Sequence, residues 1–146
     1  MQLILEATNN APSAGNLQAF KIFLLYSQDV KNEIATAAFN QDFIREAPLV
    51  MVFFADKDAS AKYGTRGRDL YSLQDATIAA IFAWLSAVDL GLAGVWVGAF
   101  DDGRISGILG AGDSLQPVAI LPIGYAGESP GQAERKILKE IATVIK

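Results

Sequence analysis

Pro12-Ser13-Ala14-Gly15-Asn16-Leu17-Gln18 separates an apolar-periodic segment from a strand-like one. Proline stops the preceding helix, and glycine permits backbone angles that other residues avoid. Ser13, Asn16 and Gln18 then crowd hydrogen-bonding side chains into one turn. Such a turn can simply satisfy its own backbone. It can also grip the edges of a flat, nitrogen- and oxygen-rich ring.

Composition narrows the chemistry. The chain has 146 residues, enough for one domain with a sizeable core. It is 51% hydrophobic and 19% charged, which points to buried subunit contacts. With no cysteine and no histidine, it has no disulfide, thiol nucleophile, thiolate zinc site or Ser-His-Asp triad. Carboxylates alone would favour hard cations, and no Asp/Glu cluster suggests such a site. The net charge of −4 and the lack of a basic stripe argue against nucleic acid. The window Ala76 to Val88 is too short for the ~20 residues of a membrane span. Met1 to Ala7 contains Glu6 and has no basic start, unlike a secretory signal. The expectation is a cytoplasmic protein without membrane partners.

Working outward, Leu3, Ile4 and Ala7 mark a short helix ending near Asn10. Phe20 to Tyr26 predicts a strand, and Ser27 a helix N-cap, with Val30, Ile34 and Ala37 on one face through Ala38. Leu49 to Ala55, after Pro48, reads as a strand covered on both faces. Asp56 to Asp69 is polar and reads as a surface loop or lid. A helix from about Leu70 to Leu90 is apolar all round between Ala76 and Val88. It should therefore be buried in a core or shared between subunits, with Phe82 and Trp84 supplying buried area. Gly91 is its expected stop. Val95-Trp96-Val97 predicts a short strand closed by Gly98, and Asp101 or Asp102 a cap for a helix through Leu109. Gln116 to Tyr125 predicts a strand that Pro122 forces to an edge or bulge. A last helix, Gln132 to Lys146, would place Ile137, Ile141, Val144 and Ile145 on one side. The alternation indicates α/β or α+β with one layered sheet in a single domain, residues 1–146.

Two further segments carry possible chemistry. In Gly91 to Phe100, Gly98 would let backbone N–H groups approach a ring atom; a helix stop, strand and turn explain the same residues. Arg135 and Lys136 near a helix start could bind phosphate, or be solvated surface charges. Gly64-Thr65-Arg66-Gly67-Arg68 lacks the lysine-serine ending of a P-loop. Gly107 to Gly112 lacks Rossmann spacing and follows a helix.

In combination, Ala11 to Gln18 resembles the flavin-contacting turn of the nitroreductase family. Gln74-Asp75-Ala76 leading a long apolar helix, Leu90-Gly91-Leu92, and Trp96 to Asp101 are similar to its central block. Pro117 to Tyr125, with a basic residue in the tail, is similar to its last strand and C-terminal segment. The resemblance implies an α+β three-layer sandwich: a central mixed or antiparallel sheet flanked by helices, in an intertwined homodimer with FMN at the interface. It implies that Ser13, Ala14, Asn16 and Gln18 contact FMN, that Gly98 and Ala99 bring backbone near flavin N5, and that Arg135, helped by Lys136, holds the phosphate. Family members carry an earlier basic stretch that clamps the phosphate, and the given sequence begins after it. Ala19-Phe20 stands where the family often has Pro-Trp, which keeps an aromatic wall without the indole donor.

The implied activity passes electrons from NAD(P)H through FMN to a nitroaromatic, quinone or similar small acceptor. Flavin supplies the redox chemistry, so neither His nor Cys is needed. The alternative is a non-catalytic flavin- or nucleotide-binding dimer with the same fold.

Overall fold

A computed structural model describes residues 1–145. Its centre is a four-stranded antiparallel sheet in the order β1-β2-β4-β3. The strands are β1 (Phe20–Leu25), β2 (Leu49–Asp56), β3 (Ala93–Gly94) and β4 (Leu115–Gly124). β2 alternates between two cores. Leu49, Met51 and Phe53 join one cluster, and Val50, Val52 and Phe54 the other. Its uninterrupted apolar run therefore has the expected meaning, a strand with no wet face.

Helices α1 (Gln2–Asn9) and α5 (Ser72–Asp89) cover the first face. Helices α2 (Gln28–Ala37), α3 (Asp42–Glu46) and α6 (Asp102–Leu109) cover the second. The result is the expected α+β three-layer sandwich. Punctuation follows the sequence: Gly91 has φ +77 after α5, and Asp101 caps α6 by accepting from the Arg104 N–H at 2.9 Å. Ser27 occupies the N-cap of α2, but its side chain makes no cap hydrogen bond.

Several expectations need correction. Of the two expectations for α5, burial within one chain's core holds for one face only. Ala76, Ala79, Ala80, Ala83 and Ala87 press on the sheet, Phe82 and Trp84 are only partly buried, and Ile81, Leu85 and Val88 are exposed. Small residues let the helix lie close to the strands and leave the larger ones outside. The expected strand Val95–Val97 is displaced to Ala93–Gly94, with Val97 retained as a single bridge to Ile120.

Pro122 sits inside β4, a central strand, and its ring causes no bulge. Its carbonyl accepts from Val95 N–H on the β3 side, so the missing donor also faces that side, where pairing is already sparse. The register shift lies instead between Phe53 and Phe54, which pair with Ala119 and Pro117 and skip Val118.

The polar stretch after β2 is not an open loop. From Ala61 it forms a 3-10 turn (Ala61–Tyr63), helix α4 (Gly64–Arg66) and a π turn (Gly67–Tyr71) that runs into α5. At the other end, the expected helix over Gln132 to Lys146 shrinks to α7 (Leu138–Ile141), and its last residue lies outside the described residues. Residues 126–145 are exposed, so the apolar stripe of Ile137, Ile141, Val144 and Ile145 finds no surface to cover it among the described residues. Periodicity alone does not hold a helix that has nothing to pack against.

Candidate functional site

The Pro12–Gln18 turn is a built object. Gly15, Asn16 and Gln18 all have left-handed backbone, with φ of +59, +56 and +45. Non-glycine residues hold that conformation only where the surroundings enforce it. The enforcement comes from Asp75 on α5, which is 2% exposed. Its Oδ1 accepts from Ala14 N–H at 2.9 Å and its Oδ2 from Ala19 N–H at 3.3 Å. One buried carboxylate thus clips both ends of the turn to the helix.

Inside the turn, Ser13 Oγ accepts from the Gln18 backbone N–H at 3.0 Å and from Gln18 Nε2 at 3.3 Å. Gln18 Nε2 also donates to Asn16 Oδ1 at 2.9 Å. Ser13, Asn16 and Gln18 therefore converge as expected. Among the described residues, the Ser13 hydroxyl proton, the Asn16 amide NH2 and the Gln18 side-chain carbonyl have no protein partner. That leaves a mixed set of donors and acceptors for a ligand edge.

Beside the turn runs a groove of about 590 Å³. Ser13 and Ala14 edge it on one side, and Tyr71, Leu73 and Ile78 give it apolar walls. Its size falls within the range of cavities that hold small organic ligands, roughly 300–1,000 Å³. The turn and groove fit the ring and polyol parts of a flavin nucleotide.

Gly98 and Ala99 follow Val97, whose N–H and C=O exchange hydrogen bonds with Ile120, each 3.0 Å. Ala99 C=O accepts from Gln41 Nε2 at 3.3 Å, while the Gly98 and Ala99 N–H groups have no partner among the described residues. They remain available as donors. The neighbouring turn contains two consecutive left-handed residues, Phe39 (φ +58) and Asn40 (φ +62), with the Phe39 ring exposed.

A single chain does not bring these parts together. The Ser13 turn feeds β1 at one edge of the sheet, and Gly98 follows β3 at the other. Three strand spacings separate the edges, about 14 Å at roughly 4.8 Å each. Arg135 and Lys136 lie on the exposed segment immediately before α7, whose N-cap is Ile137. A helix of four residues offers a phosphate there little dipole support.

Asp75, Lys62 and Tyr63 were not singled out for the site by sequence reasoning. In the sequence, Gln74-Asp75-Ala76 reads only as the head of the long helix. An acidic residue entering an otherwise apolar helix was the available signal. A Cβ built on Gly15 would come 2.1 Å from Tyr63 Oη and 3.3 Å from Lys62 Nζ, so both lie against the turn. Among the described residues there is no cluster of metal-binding side chains, and no helix is long and apolar enough to cross a membrane.

Comparison with known proteins gives the fold a context. The model of the Nitroreductase family matches residues 36–125, a range that the Ser13 turn precedes and Arg135 follows. An NADH dehydrogenase of Thermus thermophilus is 27% identical over 166 aligned positions, covering 94% of this chain and 81% of that protein. The structure of the NADPH:FMN oxidoreductase from Vibrio harveyi, complexed with NAD+, is similar at TM-score 0.89 and 23% identity, covering 99% of this chain and 66% of that one. A nitroreductase-like protein from Streptococcus mutans gives TM-score 0.90 at 18% identity, covering 98% and 85%. At such identities the two structural likenesses establish the fold alone. The family match spans well over half of the sequence, and on that ground the chain belongs to the nitroreductase family of oxidoreductases.

Proposed function

We propose that this single-domain chain works as a homodimeric FMN-dependent oxidoreductase that takes electrons from NAD(P)H and delivers them to a nitroaromatic, quinone or similar small acceptor. The observation that carries the reading is the Asp75-clipped turn, with its uncommitted polar groups beside an apolar groove. Bound flavin would supply the hydride chemistry that a chain without His or Cys cannot perform.

In this reading Ser13, Asn16 and Gln18 orient the cofactor by hydrogen bonds, with Ala14 beside them. The free N–H groups of Gly98 and Ala99 serve as donors toward the ring. Arg135 and Lys136 supply cations for the phosphate. Two copies are needed because the turn and the Gly98 segment occupy opposite sheet edges. The exposed Ile81, Leu85 and Val88 on α5, Leu3 on α1 and the apolar tail residues supply the surface for pairing. Their burial would stabilise the pair by roughly 1.5–3 kcal/mol per side chain fully covered. A cytoplasmic setting, where NAD(P)H is abundant, suits this chemistry.

The visible spectrum of the purified protein tests the proposal. The expected result is flavin absorbance, present on purification or after incubation with FMN, that NAD(P)H bleaches and an acceptor restores. Absence of flavin absorbance in both samples sinks it. The exposed position of Arg135 and Lys136, ahead of a helix only four residues long, favours a second reading, a flavin- or nucleotide-binding dimer without turnover. FMN that binds but is never bleached by NAD(P)H would select that reading.

A further inference from the structure

The polar stretch between β2 and α5 carries a compact basic–aromatic rim. Tyr63 and Tyr71 meet edge to face with ring centres 5.5 Å apart. Lys62 Nζ sits 5.0 Å from the centre of the Tyr63 ring. The Arg66 guanidinium lies 5.5 Å from the centre of the Tyr71 ring, and its Nε donates to Tyr71 Oη at 3.0 Å. Such contacts hold long cationic side chains in place without neutralising them.

The rim borders the candidate site. Tyr71 lines the groove, and the Tyr63 hydroxyl and Lys62 ammonium lie against Gly15. The backbone beneath is tightly packed: a Cβ on Gly67 would fall 2.1 Å from the Ser60 carbonyl oxygen. Charge pairing is uneven. Arg68 is bonded to Asp58 at 2.8 Å, whereas Lys62 and Arg66 have no carboxylate within salt-bridge distance among the described residues. The nearby Asp75 is committed to two backbone N–H groups. In a chain of net charge −4, two unneutralised cations beside a groove form a local attraction for anions.

We propose that this rim sets substrate choice: the preferred acceptor is a planar aromatic bearing an anionic substituent, its ring stacked on the bound flavin at the Tyr71 side of the groove and its anion paired with Lys62 and Arg66. The inference rests on the flavin-oxidoreductase reading and deepens it. Lys62 and Arg66 are specificity residues here, and neither takes part in electron transfer.

The test uses 4-nitrobenzoate and its neutral analogue 4-nitrobenzamide as probes of the FMN-loaded protein. Binding is measured by titration calorimetry, and kcat/KM by acceptor-dependent NAD(P)H oxidation. Exposed ion pairs of this kind are each worth about threefold. The benzoate should therefore bind about tenfold more tightly than the amide. Lys62→Gln with Arg66→Gln should bring that ratio to about one, and 0.5 M salt should compress it in the unaltered protein. Both side chains are exposed, so the variants keep their fold, checked by circular dichroism. Arg104→Gln, on the far face of the sheet, should leave the ratio at about ten.

A ratio within twofold in the unaltered protein, or one that the double variant does not change, overturns the rim assignment. A change confined to the KM for NAD(P)H gives these cations to the nucleotide and also overturns it. Failure to take up FMN overturns the flavin reading first and this inference with it.

Discussion

Replacing Asp75 with asparagine removes the charge at the root of the Ser13 turn while keeping the shape. The side-chain carbonyl can still accept from Ala14 N–H, now 2.9 Å from Oδ1. The new amide NH2 then faces the Ala19 N–H, which lies 3.3 Å from Oδ2. Donor meets donor, and Ala19 is fully buried, so water cannot substitute. Losing a hydrogen bond to a charged group costs about 1.5–3 kcal/mol, and an orphaned buried donor costs about 1–3 kcal/mol. Relief from burying an unpaired carboxylate offsets part of this. A net loss of about 2 kcal/mol is expected, which lowers Tm by about 4–8 °C for a chain of this size. The local effect is more specific. Amide hydrogen exchange at Ala14 and Ala19 should quicken about 30-fold if the turn opens independently of the core. The central β2 amides should move only as far as global stability does. Exchange at Ala14 and Ala19 within threefold of the unaltered protein, with Tm unchanged, would refute the claim that Asp75 holds the turn.

Three further outcomes follow from the same geometry. Gly15→Ala places a methyl 2.1 Å from Tyr63 Oη at φ +59 and should cost about 1–2 kcal/mol in thermal unfolding, partly restored by Tyr63→Ala in the same chain. Leu85→Glu, on a side chain 63% exposed, should convert a dimer to monomer in sedimentation while the far-ultraviolet spectrum is retained; Ala83→Glu, at 0% exposure, should unfold the protomer itself. Arg135→Glu should raise the FMN dissociation constant at least tenfold by reversing a phosphate contact, and an unchanged constant would remove Arg135 from the site.

What could be read from residues alone was what local chemistry determines. The apolar run of β2, the Gly91 stop, the Asp101 cap and the convergence of Ser13, Asn16 and Gln18 all depend on near neighbours in sequence. The misses have long-range causes. Asp75 reaches Ala14 across 61 positions, so no local pattern announces the contact. The π turn at Gly67 brings the backbone so close to the Ser60 carbonyl that a Cβ would fall 2.1 Å from it, a fit that no residue pattern states. The third strand settles at Ala93–Gly94 because the register of β4 selects it. The C-terminal stripe of Ile137, Ile141 and Val144 has helical spacing, but the described residues supply it no complementary face. α5 shows both sides: its apolar character was plain, yet only the packed sheet separates the alanine face from the leucine face.

The π turn at Gly67–Tyr71 has an evolutionary corollary. A π turn accommodates one residue more than the same stretch of α-helix. Deleting that residue would re-phase everything upstream by about 100°, one residue's rotation of the helix. Arg66, on the helical turn directly upstream, would swing around the helix axis, while Asp75, downstream, would keep its grip on the turn. A single codon loss would thus re-aim the Arg66 cation while the anchor beneath it stays in place.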